Sequence, residues 1–124
     1  MKIIIANSSD TPIYEQIAEA VQKGIISGEL SESDELPSIR ALARELSVSV
    51  ITVKNAYETL EEKGYIITRP GRGSVVSTKS NVLALEHKIS EMEQHLLSAI
   101  DISRGLDMEF TELLRRLEEL NKEI

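Results

Sequence analysis

LPSIRALARELSVSVITVKNAYETLEEKGYIITRPGRGSVV, from Leu36 to Val76, is the stretch that decides the fold. Ile39, Leu42, Ala43 and Leu46 fall at i, i+3, i+4 and i+7, the spacing of one buried helical face. Val53, Ala56, Tyr57 and Leu60 repeat the pattern. Only Ser47, Val48 and Ser49 lie between, and either serine can cap the second helix by accepting a free backbone N–H. Two short helices joined by so brief a turn make a helix-turn-helix unit. Gly64 stands where a helix-ending residue with positive φ is wanted. Tyr65–Thr68 and Ser74–Ser77 then flank Pro70-Gly71-Arg72-Gly73, the pattern of a hairpin or wing.

Residues 1–10 form an N-terminal tail whose Ile3-Ile4-Ile5 run is too short to assign. Thr11-Pro12 reads as an N-cap followed by proline at the first helical position. Ile13, Ile17, Ala20, Val21 and Ile25 carry a helical stripe to about Ser27, and Gly28 ends it. Leu30–Glu35 is polar and loop-like, and Pro37 is expected to start the next helix. Residues 11–78 therefore read as one winged helix-turn-helix domain.

After the short polar joint Lys79-Ser80-Asn81 the pattern changes. Val82, Leu85, Ile89, Met92, Leu96, Ala99 and Ser103 alternate spacings of three and four, an a/d seam. Gly105 and Asp107 break it, and Leu106, Phe110, Leu113, Leu117, Leu120 and Ile124 resume it. Residues 79–124 are expected to form a two-helix hairpin with a narrow apolar seam. Self-association covers such a seam, so Leu85, Ile89, Met92, Leu96, Phe110, Leu113, Leu117 and Leu120 are the expected homodimer interface. The fold class is mainly α with a small β wing.

A chain of 124 residues allows one small core and an appendage, and an aromatic content of 3% makes that core aliphatic. Without cysteine there is neither a disulfide framework nor a thiolate metal site. No signal sequence or membrane-length apolar run is visible, so a cytoplasmic protein without membrane partners is expected. The net charge of −7 is uneven. Residues 81–124 carry −5 and residues 1–80 only −2, whereas the segment 40–72 is positive at +2. Salt screens charges beyond about 8–10 Å, so an acidic appendage does not prevent a local basic patch from attracting phosphate.

That patch is readable from helical spacing. Arg40 and Arg44 lie one turn apart, opposite the core stripe, where a first helix crosses a DNA backbone. On the second helix Ile51, Lys54, Asn55 and Glu58 project away from the core face. Asn pairs with adenine, Lys with guanine or phosphate, and Ile with a thymine methyl. Ser49 and Thr52 add hydroxyl donors near a helix N-terminus. Arg69 and Arg72 flank the wing tip, and Gly71 permits close backbone approach. Double-stranded DNA is the partner this pattern points to.

Residues 12–76 resemble the DNA-binding domain of the GntR family of bacterial transcription regulators. The matching stretches are PIYEQI (12–17), ISGEL (26–30), LPSIRALA (36–43), TVKNAYETL (52–60) and GRGS (71–74). The two-helix C-terminus resembles the YtrA-like subfamily, which lacks a large effector domain. The resemblance implies a homodimeric regulator, usually a repressor, often encoded beside an ABC transporter operon. It assigns DNA contact to Arg40, to Ser49, Thr52 and Lys54 at the start of the recognition helix, and to Gly71 at the wing tip. Val50 departs from the wider family, where an arginine is common, so the family's consensus operator is not expected here.

Other chemistry finds little support. His87, Glu91 and His95 share one helical side, but one helix rarely supplies a full ligand set, so no metal and no cofactor are expected. There is no nucleophile–base set, which speaks against an enzyme. A second reading keeps the winged fold as scaffold and makes the acidic hairpin a protein-docking element. A small-molecule effector would have to bind between hairpin and winged domain or across the dimer, and the sequence shows no site for one.

Overall fold

A computed structural model describes residues 2–71 and 73–124. The elements run α1 (Ile13–Ser27), α2 (Ile39–Leu46), α3 (Val50–Glu62), β1 (Ile66–Arg69), β2 (Gly73–Val76), α4 (Ser80–Gly105) and α5 (Phe110–Lys122). The chain divides into two units at His87/Lys88, with α4 continuing through the boundary. Among the described residues, no helix is long and apolar enough to cross a membrane.

The first unit is built on α3, against which both α1 and α2 pack. Ile17 and Val21 of α1, Leu42 of α2, Val53 and Leu60 of α3, and Ile66 and Val76 of the wing are almost wholly buried together. Each such aliphatic side chain contributes roughly 1.5–3 kcal/mol on leaving water. The stripes that define the helices are therefore the core.

Three helix starts and one loop differ from expectation. Pro12, not Thr11, occupies the cap position of α1, with no side-chain cap, and the helix begins at Ile13. Thr11 instead offers its carbonyl to Gln16 Nε2 at 2.8 Å. The same Gln16 amide brackets Ala6, accepting its N–H at 2.8 Å and donating to its carbonyl at 3.0 Å. This bracket sets Ile3 and Ile5 against the core and leaves Ile4 outside. Pro37 does not start α2, because Ser38 caps it through its Oγ, which accepts the Ala41 N–H at 3.1 Å. Ser80 is not part of a linker: it begins α4 almost fully buried. The segment Leu30–Glu35 is only partly loop. Ser33 N–H donates to the Val76 carbonyl, Val76 N–H to that of Asp34, and Leu36 N–H to that of Ser74, each at 2.9 Å. Glu35 thus bridges Val75, and β2 is paired on both edges, with β1 antiparallel on the other side from Ile66↔Val76 to Arg69↔Gly73.

Residue 47 ends α2. Val48 N–H donates to the Ala43 carbonyl and Ser47 N–H to that of Arg44, with Ser47 left-handed at φ 56°. This is a Schellman closure with a residue that carries a Cβ penalty there. Ser47→Gly is expected to stabilise the fold by about 0.5–1 kcal/mol, the relieved strain exceeding the extra backbone entropy of glycine. Urea unfolding at fixed protein concentration checks this; a lower midpoint would contradict it.

In the second unit the same closure ends α4 at the expected break. Gly105 is the last residue of α4, and Asp107 takes the left-handed conformation at φ 53°. Met108 N–H reaches the Ser103 carbonyl and Asp107 N–H that of Arg104. α5 follows directly and buries none of its own residues. Leu85, Ile89, Met92, Leu96, Phe110, Leu117 and Leu120 are all exposed, while Leu113 is half-buried. On α5's polar face the hydrogen bonds from Arg115 hold Glu112 down to about 2, with partial desolvation opposing and the Arg115 and Arg116 charges assisting.

Candidate nucleic-acid interface

The helix-turn-helix is held by bonds that the sequence places at its joints. Ser49 caps α3: its Oγ accepts the Thr52 N–H at 3.1 Å and lies 2.6 Å from the Thr52 hydroxyl. Tyr57, facing the core from α3, donates its hydroxyl to the Pro37 carbonyl at 2.7 Å, pinning α3 to the chain entering α2. Burial pushes the Tyr57 phenol up to about 12, so it remains a donor throughout the neutral range. At the other end of α3, Gly64 at φ 87° turns the chain into the wing, and Tyr65 N–H closes on the Leu60 carbonyl at 3.0 Å. Glu61 Oε1 then accepts the Thr68 N–H at 2.9 Å, tying β1 to α3. The Thr68 and Ser74 hydroxyls meet across the wing at 3.3 Å.

These ties create a groove of about 440 Å³ lined by Pro37, Ser38, Ile39, Arg40, Lys54, Tyr57, Glu58, Glu61, Thr68, Gly73 and Ser74. The start of α2, the exposed side of α3 and the wing thus share one surface. Arg40 and Lys54, fourteen positions apart in sequence, line it together. Among the described residues the ion pairs all lie on α5, so Arg40 and Lys54 are exposed and in no ion pair, although Glu58 and Glu61 line the same groove. Cations, hydroxyls and a capped helix N-terminus on one surface are the donors that phosphate oxygens accept.

The remaining expected residues distribute around this groove. Val50 and Ile51 lead α3, 43% and 58% exposed. Arg44 is exposed in the last turn of α2, and Arg69 is exposed where β1 ends. Gly71 sits exposed at the wing turn with φ 74°, a conformation that disfavours any side chain. Arg72 lies outside the described residues. Asn55 is not brought to the groove; it lines a separate depression with Tyr14, Glu58, Thr59 and Glu62. One step along α3 rotates it by about 100° from Lys54, toward α1. Ser38, Glu61 and Ser74 line the groove although sequence reasoning gave them no part. Ser38 was readable, as a serine immediately before the periodic Ile39. The Glu61–Thr68 tie left no local signal.

Among the described residues no three His, Cys, Asp or Glu side chains converge as a metal site.

The family model described as bacterial regulatory proteins, gntR family, matches residues 13–76. The chain is 31% identical over 116 residues to the HTH-type transcriptional repressor YtrA of Bacillus subtilis, covering 94% of this chain and 89% of that one. Among solved structures, YtrA from Sulfolobus acidocaldarius, a GntR-family transcription factor, is 39% identical with TM-score 0.59 over 73% of this chain and 97% of that one. A GntR family transcriptional regulator from Listeria monocytogenes is 28% identical with TM-score 0.65, over 93% and 98% of the two chains.

Proposed function

This chain belongs to the gntR family of bacterial regulatory proteins, and on that premise we propose that it is a cytoplasmic, YtrA-like repressor that binds a palindromic operator as a homodimer. The observation that carries the reading is the groove at which Arg40 and Lys54 meet the wing. In this reading residues 11–78 engage DNA. Arg40, Arg44, Ser49 and Thr52 contact phosphates, Val50, Ile51, Lys54 and Asn55 enter the major groove, and Arg69, Gly71 and Arg72 follow the adjacent backbone. Residues 79–124 pair two chains through the exposed seam, an isologous contact that aligns two recognition helices. Half-site centres then lie about 34–36 Å apart or at a multiple of it. The repressor character and an ABC transporter operon as target come from the likeness to YtrA and its subfamily.

The test is titration of the purified full chain with duplex from upstream of its own gene, against a scrambled duplex, across a salt series. Tight, salt-dependent and selective binding supports the reading. Absence of binding even at low salt would sink it and favour a docking role for the acidic helices. In the same assay Arg40→Ala is expected to weaken binding by about 10- to 100-fold per subunit, since hydrogen bonds to charged groups contribute about 1.5–3 kcal/mol. Its salt slope should fall by about one for each phosphate that the arginine no longer neutralises. Unchanged affinity and slope would remove Arg40 from the interface.

A further inference from the structure

We propose that the leading turn of α3 reads thymine through its 5-methyl group, by apolar contact from Val50 and Ile51. The inference rests on the DNA-binding reading above and specifies the base chemistry it uses. Val50 and Ile51 are adjacent, β-branched and 43% and 58% exposed, whereas Val53 turns fully into the core. The Thr52 hydroxyl is 2.6 Å from Ser49 Oγ, which also accepts the Thr52 N–H, so the two hydroxyls pair with each other at the cap and leave one O–H free for a phosphate. Lys54 lines the groove with Arg40 and the wing, and Asn55 faces the depression beside Tyr14. Val50 and Ile51 therefore form an exposed apolar pair at the head of α3, one turn ahead of Lys54, which lines the groove with Arg40. In a major groove the first residues of a recognition helix meet base edges. The one apolar group on those edges is the thymine methyl. Two aliphatic side chains without an amide or guanidinium between them select for that methyl rather than for a donor–acceptor pattern.

The experiment begins with selection of duplexes from a random pool by the full chain. Each thymine of the selected half-site is then replaced, in both half-sites together, by uracil, which keeps every hydrogen-bonding group and removes only the methyl. At one or two half-site positions affinity is expected to fall about fourfold per methyl, the equivalent of about 0.8 kcal/mol for one buried carbon. At those positions the Val50→Ala/Ile51→Ala variant should bind thymine and uracil duplexes equally. Both side chains are exposed, so thermal melts of the variant serve as the check that it folds. Uracil tolerated at every position, or a methyl effect undiminished in the variant, overturns the inference while leaving DNA binding intact. A pool that shows no enrichment overturns the DNA-binding reading and this inference with it.

Discussion

Replacing Leu117 and Leu120 with glutamate is expected to turn the protein into a monomer in sedimentation velocity and to weaken operator binding by about 10²–10⁴-fold. Both side chains are half or more exposed in the single chain, and α5 buries none of its residues, so each chain should fold as before. What the substitutions remove is the apolar contact between copies. Leu85, Ile89, Met92 and Leu96 continue the exposed stripe along α4, and Phe110 opens it on α5. Burying such a row against its symmetric counterpart draws on the hydrophobic effect, whereas charges placed there would stay desolvated and unpaired. The loss in DNA affinity is indirect. One winged module offers few contacts, and the second binds at high effective concentration only while tethered. Circular dichroism separates dissociation from unfolding. A variant that remains dimeric would place the interface elsewhere.

Leu60→Ala is expected to cost about 2–5 kcal/mol of stability, the transfer of a fully buried leucine plus the cavity it leaves. Leu60 has no exposed surface and stands at the end of α3, and the Tyr65 N–H closes on its carbonyl. The loss therefore falls where the recognition helix hands over to the wing. For a unit of this size each kcal/mol shifts the melting temperature by about 4–8 °C. Thermal melts at fixed protein concentration read the effect directly, and a shift below a few degrees would show that the core is not organised around α3.

Much of the fold was legible because its determinants are local. The stripes of α2 and α3, the Ser49 cap and the positive-φ turn at Gly64 each act within a few residues of themselves. What was not legible depends on partners far along the chain. Gln16 brackets Ala6 ten residues away, and Ser33–Leu36 pairs with β2 some forty residues later despite its polar composition. Ser80 is small and polar, so nothing in its chemistry announced that it would be buried at the start of α4. The candidate surface divides the same way. Helical spacing was enough to turn Arg40 and Lys54 outward, but their convergence depends on the Tyr57–Pro37 and Glu61–Thr68 ties. Asn55 lies about 100° round α3 from Lys54 and lines the neighbouring depression beside Tyr14, with Glu58 lining both.

The most direct test is a hydroxyl-radical footprint of the full chain on both strands of a bound upstream duplex. Two protected patches related by a dyad, their centres one helical turn of about 34–36 Å or a multiple of it apart, are the predicted result. A single protected patch, or protection without a dyad, would contradict a symmetric pair of recognition helices.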